Sequence, residues 1–157
     1  MDSQQPIGTP ASLPRSAILR GNEPVRTLFQ QGKGFRQGAI VIKYHVVELA
    51  QGEPPQQQTV LAGFFVRKGK GGAIRRNRIR RLLRESYRLV RHGFVQSLPP
   101  GLTLHLAFLW SAPSGDQQSP PPPFADIQND VRKGLERLRR KVMKDLQEGH
   151  EPATAEL

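Results

Sequence analysis

Between Arg67 and His92 the chain places eleven Lys or Arg residues against a single acid, Glu85, so this stretch carries +10 of the +11 net charge. From Arg75 to Arg91 every basic residue is arginine, eight in all. A planar guanidinium donates two parallel hydrogen bonds to one anion, and each phosphate it neutralises releases a counterion. The chemistry such a run can do is recognition of a polyanionic backbone. A helix face kept only for solubility would alternate signs. Like charges four apart, such as Arg80 with Arg84 and Arg84 with Arg88, cost about 0.2–0.5 kcal/mol each, so this face is expected to meet RNA or DNA.

The residue types for other chemistries are missing or scattered. There is no cysteine, which removes disulfides, thiolate nucleophiles and sulfur-ligated zinc. His45, His92, His105 and His150 form no H-E-x-x-H or similar ligand spacing, and no carboxylate pair or nucleophile with an adjacent base stands out. His45 and His105 fall in apolar stretches and read as structural or surface residues. No catalytic and no metal-ligating residue is assigned. The segment Arg67 to Gly72 reads RKGKGG, where glycines allow close backbone approach to a phosphate, but it is not a G-x-x-x-x-G-K-S/T nucleotide loop.

These arginines must be positioned by a helix. On a wheel of about 100° per residue, Leu82, Leu83, Ser86, Tyr87 and Val90 lie within roughly 80° of Ile79, while Asn77, Arg80, Arg81, Arg84, Arg88 and Arg91 share an opposite arc and Arg78 flanks it. One face must be buried and the other is arginine. Upstream, Val25, Leu28 and Phe29 predict a short amphipathic helix over 23–31, closed by Gly32. Stretches 39–49 and 59–66, rich in β-branched and aromatic residues, predict two strands joined by a Pro-containing loop. Residues 102–110 predict another strand, and Ile127, Val131, Leu135, Leu138 and Val142 mark a last helix over 124–146.

The order helix, two or three strands, helix, strand, helix implies one α+β domain, a small α-β sandwich, spanning 19–146. Polar, Pro-containing residues 1–18 and the tail 147–157 are expected to be disordered, and 111–123, with four consecutive prolines, to be an extended loop. No apolar run reaches the roughly 20 residues of a spanning helix, so a cytoplasmic protein without membrane contact is the expectation.

Lys68, Gly71, Ala73 and Ile74, followed by Arg76-Asn77-Arg78-Ile79-Arg80-Arg81-Leu82-Leu83-Arg84-Glu85, resemble the signature of the bacterial ribonuclease P protein family. Leu28 to Lys33 resemble the end of that family's first helix, and Gly63 to Val66 its central strand. The resemblance covers about residues 20 to 145. It implies a left-handed βαβ crossover through the motif helix, a partnership with the catalytic RNA of ribonuclease P and with precursor tRNA, and no obligate protein partner. Carried onto this chain, it implies RNA contacts from Lys68, Lys70, Arg76, Asn77, Arg78, Arg80, Arg81, Arg84 and Arg88. The 5′ leader would lie in a cleft between the first helix and the sheet, contacted by Phe29, Lys33, Phe35, Arg36, Lys43, Phe64, Phe65 and Arg67, although strand alternation forbids Phe64 and Phe65 from sharing a face. Mg2+ would be held mainly by the RNA, which would carry the hydrolysis. Val25 stands where the family usually has phenylalanine, and Arg67 where serine is common. The alternative reading is a structural, ribosomal-type RNA-binding protein.

Overall fold

The computed structural model describes residues 12–67, 72–111 and 123–149. Helix α1 (Asn22–Gln31) leads into strands β1 (Lys33–Gln37), β2 (Ile40–Leu49) and β3 (Thr59–Val66). Then come helix α2 (Ala73–Gln96), strand β4 (Leu102–Trp110) and helix α3 (Phe124–Gly149). The strands form one sheet in the order β1-β2-β4-β3. β1/β2 and β2/β4 are antiparallel, and β4 runs parallel to β3. Parallel neighbours require a crossover, and α2 supplies it.

Alternation along the strands separates two apolar layers. Ile40, Ile42 and Tyr44 of β2, Val60 and Ala62 of β3, and Leu102, Leu104, Leu106, Phe108 and Trp110 of β4 face one side. Ile79, Leu83 and Tyr87 of α2 and Ile127, Val131, Leu135, Leu138 and Val142 of α3 cover them. The opposite face carries a smaller cluster, in which α1 packs Leu28, Val25 and Phe29 against Ala107, Leu61 and Phe65. The result is the expected α+β sandwich, with both long helices on one side of the sheet and α1 alone on the other.

The structure departs from the sequence expectation at its edges. Residues 1–11 and 150–157 lie outside the described residues, but the disordered lead-in does not extend through 12–18. Leu13 and Ala17 are buried, Arg15–Ala17 form a 3-10 turn, and Ile18 bridges Ala62 of β3. Their apolar side chains find the sheet edge, which outweighs the local Pro and polar composition. Similarly, α3 runs to Gly149, past the expected end at 146. The Pro-rich loop lies outside the described residues from 112 to 122.

The third strand left open by the sequence is β1, a hairpin partner of β2 turned by Gly38 and Ala39. Gly38 has φ 62, in the left-handed region, and a Cβ there would meet the Asp130 carboxylate of α3, so the turn needs glycine twice over. Among the described residues no helix is long and apolar enough to cross a membrane.

Candidate nucleic-acid interface

Helix α2 runs 24 residues without proline and extends past both ends of the stretch 76–91 in which helical periodicity predicts it. It begins at Gly72 with φ 39, has no side-chain N-cap and has no acid in its first turn. The first amide N–H groups of a helix lack intrahelical partners and carry its partial positive charge. Here Arg75, Arg76 and Arg78 add full charges to that end. Ile79, Leu83, Ser86 and Tyr87 are buried with Leu82 and Val90 partly covered, the stripe expected from the wheel. That burial fixes the rotation of the helix, so the opposite face is held toward solvent.

On that face Asn77, Arg78, Arg81 and Arg84 are exposed, and Arg76, Arg80 and Arg88 are half-buried. Arg80 donates to Asn77 Oδ1 at 2.6 Å, which orients both side chains on the helix surface. Arg88 pairs with Glu85, its Nε donating at 3.0 Å, and the bond holds the Glu85 carboxyl below its usual range, against a smaller opposing effect of burial. Among the described residues no ion pair involves Arg78, Arg81 or Arg84. Arg91 turns toward the core beside Tyr87, whose hydroxyl is pushed up to about 12 by burial while Arg91 pulls it back. Lys68 and Lys70 lie outside the described residues.

The eight residues expected in the leader cleft are not all brought together. Phe29, Phe65 and Lys43 come together on the α1 face: the two rings meet edge to face at 5.5 Å, and the Lys43 ammonium sits 5.7 Å from the Phe29 centroid. Gly63 makes room for this arrangement, since a Cβ there would fall 2.6 Å from the Phe65 ring. Arg67 is exposed at the end of β3, where the chain leaves for α2. Arg36, paired with Val41, is pinned by bonds to Ser111 O at 3.0 Å and Ser111 Oγ at 3.1 Å.

The other three do not join them. Phe64 is packed on the main-core face, stacked on Phe108 at 5.6 Å and tilted against Tyr87 at 5.8 Å. Phe35 faces α3, where the Arg137 guanidinium lies 4.7 Å and the Lys141 ammonium 5.2 Å from its ring centroid. Lys33 is on the same side, its ammonium 3.1 Å from Asp145 of α3. The reason is register: Lys33 and Phe35 pair with Tyr44 and Ile42, both core-facing residues of β2. The wall residues that sequence reasoning missed are Leu61 and Ala107. They read as ordinary strand apolars, and only the position of α1 distinguishes them. Among the described residues no group of three or more His, Asp or Glu is placed to hold a metal ion.

A single α+β domain that buries one stripe of a long helix and presents the reverse as unneutralised arginine is, on physical grounds, a polyanion-binding protein. The model of the ribonuclease P family matches residues 13–139, most of the chain. The ribonuclease P protein component of Chlorobaculum tepidum is 34% identical over 92% of this chain and 89% of its own length. That of Beutenbergia cavernae is 31% identical over 83% and 97%. In fold, the chain resembles the Staphylococcus aureus RNase P protein (TM-score 0.52, 16% identity, 80% of this chain and 97% of that one). It also resembles the Thermotoga maritima RNase P protein (TM-score 0.51, 19% identity, 76% and 96%). The chain belongs to the ribonuclease P protein family, whose members are components of an endoribonuclease. This membership decides against the ribosomal-type alternative.

Proposed function

We propose that the chain binds the catalytic RNA of ribonuclease P through the arginine face of α2. In this reading it holds the 5′ leader of precursor tRNA against the α1 face of the sheet, and so promotes endonucleolytic removal of the leader in the cytoplasm. The observation that carries this reading is the set Arg78, Arg81 and Arg84, exposed and without acidic partners among the described residues on a helix whose rotation is fixed by its buried stripe. Such contacts read phosphates and RNA shape rather than base identity.

On the α1 face, Phe29 and Phe65 offer ring edges and faces to unpaired bases, Lys43 supplies charge beside them, and Arg67 continues the charge toward α2. The proposal narrows the leader contacts to Phe29, Phe65, Lys43, Arg67 and Arg36. Hydrolysis itself is assigned to the RNA with Mg2+, a hard cation that takes oxygen ligands of the kind phosphates supply. The protein's part is affinity, positioning and charge screening.

The test is reconstitution with the cognate catalytic RNA at near-physiological Mg2+, following cleavage of precursor tRNA. Stimulation by the wild-type protein that is lost with Arg76→Ala/Arg78→Ala supports the proposal. Equal stimulation by both proteins removes the α2 assignment, and no stimulation by the wild type removes the function.

A further inference from the structure

His45 and His105 are 60 positions apart in the sequence, yet the antiparallel register of β2 and β4 sets them directly opposite each other. Directly opposed residues of such a pair have Cβ atoms about 4.5–5.5 Å apart. Their flanking residues Tyr44, Val46, Leu104 and Leu106 pack into the main core, so both imidazoles stand on the reverse face, one step along the strands from Lys43 and Ala107. Each ring is half-buried. Among the described residues no hydrogen bond or ion pair holds either ring. Half-buried imidazoles ordinarily have a partner for at least one ring nitrogen. Two adjacent ones without any leave ring nitrogens available to a shared ligand.

We propose that His45 and His105 form a two-histidine site for a borderline divalent transition-metal ion such as Zn2+, Ni2+ or Cu2+. The remaining coordination positions are filled by water or an incoming ligand. Imidazole nitrogens bind such ions at about 2.0–2.1 Å, a reach that two side chains from facing Cβ atoms can close on one ion. The alternative occupant, a phosphate, needs imidazolium. Two imidazolium rings directly opposite each other across one strand pair would repel, since like charges in that position are destabilising. Mg2+ and Ca2+ prefer oxygen and are not the ions this pair selects. With only two protein ligands the site is open, and an ion there would add charge to the face that carries Lys43. The pair lies on the sheet face proposed for the leader, and titration without RNA separates ion binding from that reading.

Isothermal titration of the full chain with ZnCl2 at pH 7.5, without RNA, tests the proposal. We expect one-site binding that weakens by about tenfold or more in His45→Gln and in His105→Gln and is unchanged in His92→Gln. Because position 105 lies in a central strand, a second measurement uses the unaltered protein. Substoichiometric CuCl2 should broaden the NMR signals of the His45 and His105 imidazoles before those of His92 and His150. Absence of Zn2+ binding, binding indifferent to both substitutions, or broadening that begins at His92 or His150 would each overturn it.

Discussion

Helices α2 and α3 have nearly the same length, 24 and 26 residues, and pack side by side on the same face of the sheet. Both are rich in basic residues, yet they use charge in opposite ways. α3 has seven Lys or Arg against five acids, and many of these charges serve the fold. Arg137 donates to Arg36 O and Gln37 Oε1, each at 2.9 Å, and lies over Phe35. Asp145 accepts from the Tyr44 hydroxyl at 3.0 Å and pairs with Lys33. α2 has eight arginines against one acid, and six of them, Arg76, Arg78, Arg80, Arg81, Arg84 and Arg91, form no ion pair among the described residues. The lesson is that basic content alone does not mark a binding face. What marks it is a face of one sign, eight arginines to one acid, whereas α3 intersperses its seven basic residues with five acids and is the internal control.

The strongest way to break this comparison is to reverse equal charge on each helix. Arg78→Glu/Arg81→Glu/Arg84→Glu should lower affinity for the catalytic RNA by more than about 100-fold and reduce the slope of log K against log salt by roughly 2–3, one phosphate contact per arginine. Lys133→Glu/Arg139→Glu/Arg140→Glu on exposed positions of α3 makes the same change in net charge and should cost less than about tenfold, through long-range potential alone. Filter binding across a salt series measures both. Equal losses would show that the chain attracts RNA by total charge and would end the distinction between the helices.

The converse test asks whether α3 charges are structural. Asp145→Ala leaves the buried Tyr44 hydroxyl without its acceptor and Lys33 without its partner. At present burial, reinforced by Asp145, pushes Tyr44 ionisation far above its usual range, so the hydroxyl stays a donor. Losing a hydrogen bond to a partly buried charged acceptor costs about 1–3 kcal/mol. The variant should therefore unfold at lower urea with its RNA affinity unchanged. A loss of affinity at full stability would instead place the α3–β1 surface in the RNA interface.

Much of this division was legible before the structure. The arginine run, its buried stripe and the α3 stripe follow from 3.6-residue periodicity, and each residue of both stripes falls where the wheel puts it, with Leu82 and Val90 at the half-covered margin. The parity of Phe64 and Phe65 was legible too, but not which of them faces α1. Phe35 and Lys33 were misplaced because β1 carries one apolar residue in five and shows no alternation. Their face is set by a hairpin register fixed at Gly38, and a shift of one residue would have exchanged the faces. The His45–His105 pair was illegible for the same reason: spacing along the chain does not report pairing across strands separated by a helix.

The finest test of the comparison concerns Glu85, the only acid of α2. If unneutralised arginine is what binds, removing the one charge that offsets it should help. Glu85→Gln raises the net charge of the helix by one and deletes the carboxylate that pairs with Arg88. One added phosphate contact is worth about threefold to fivefold at physiological salt, so RNA binding should tighten by about that factor. Stability should respond in the other direction, by a small amount that is present at neutral pH and disappears in acid. The Glu85 carboxyl is lowered in the folded state, chiefly by its bond to Arg88. Its contribution is therefore fully present above the ordinary value of 4.5 and is lost as pH falls through the lowered one. At neutral pH the pair is exposed enough that its removal should be nearly silent, while the acid limb of the urea midpoint against pH becomes shallower. If Glu85→Gln weakened RNA binding at unchanged stability, Glu85 would have to act by orienting Arg88 rather than by opposing it, and geometry would then outrank net charge on this face.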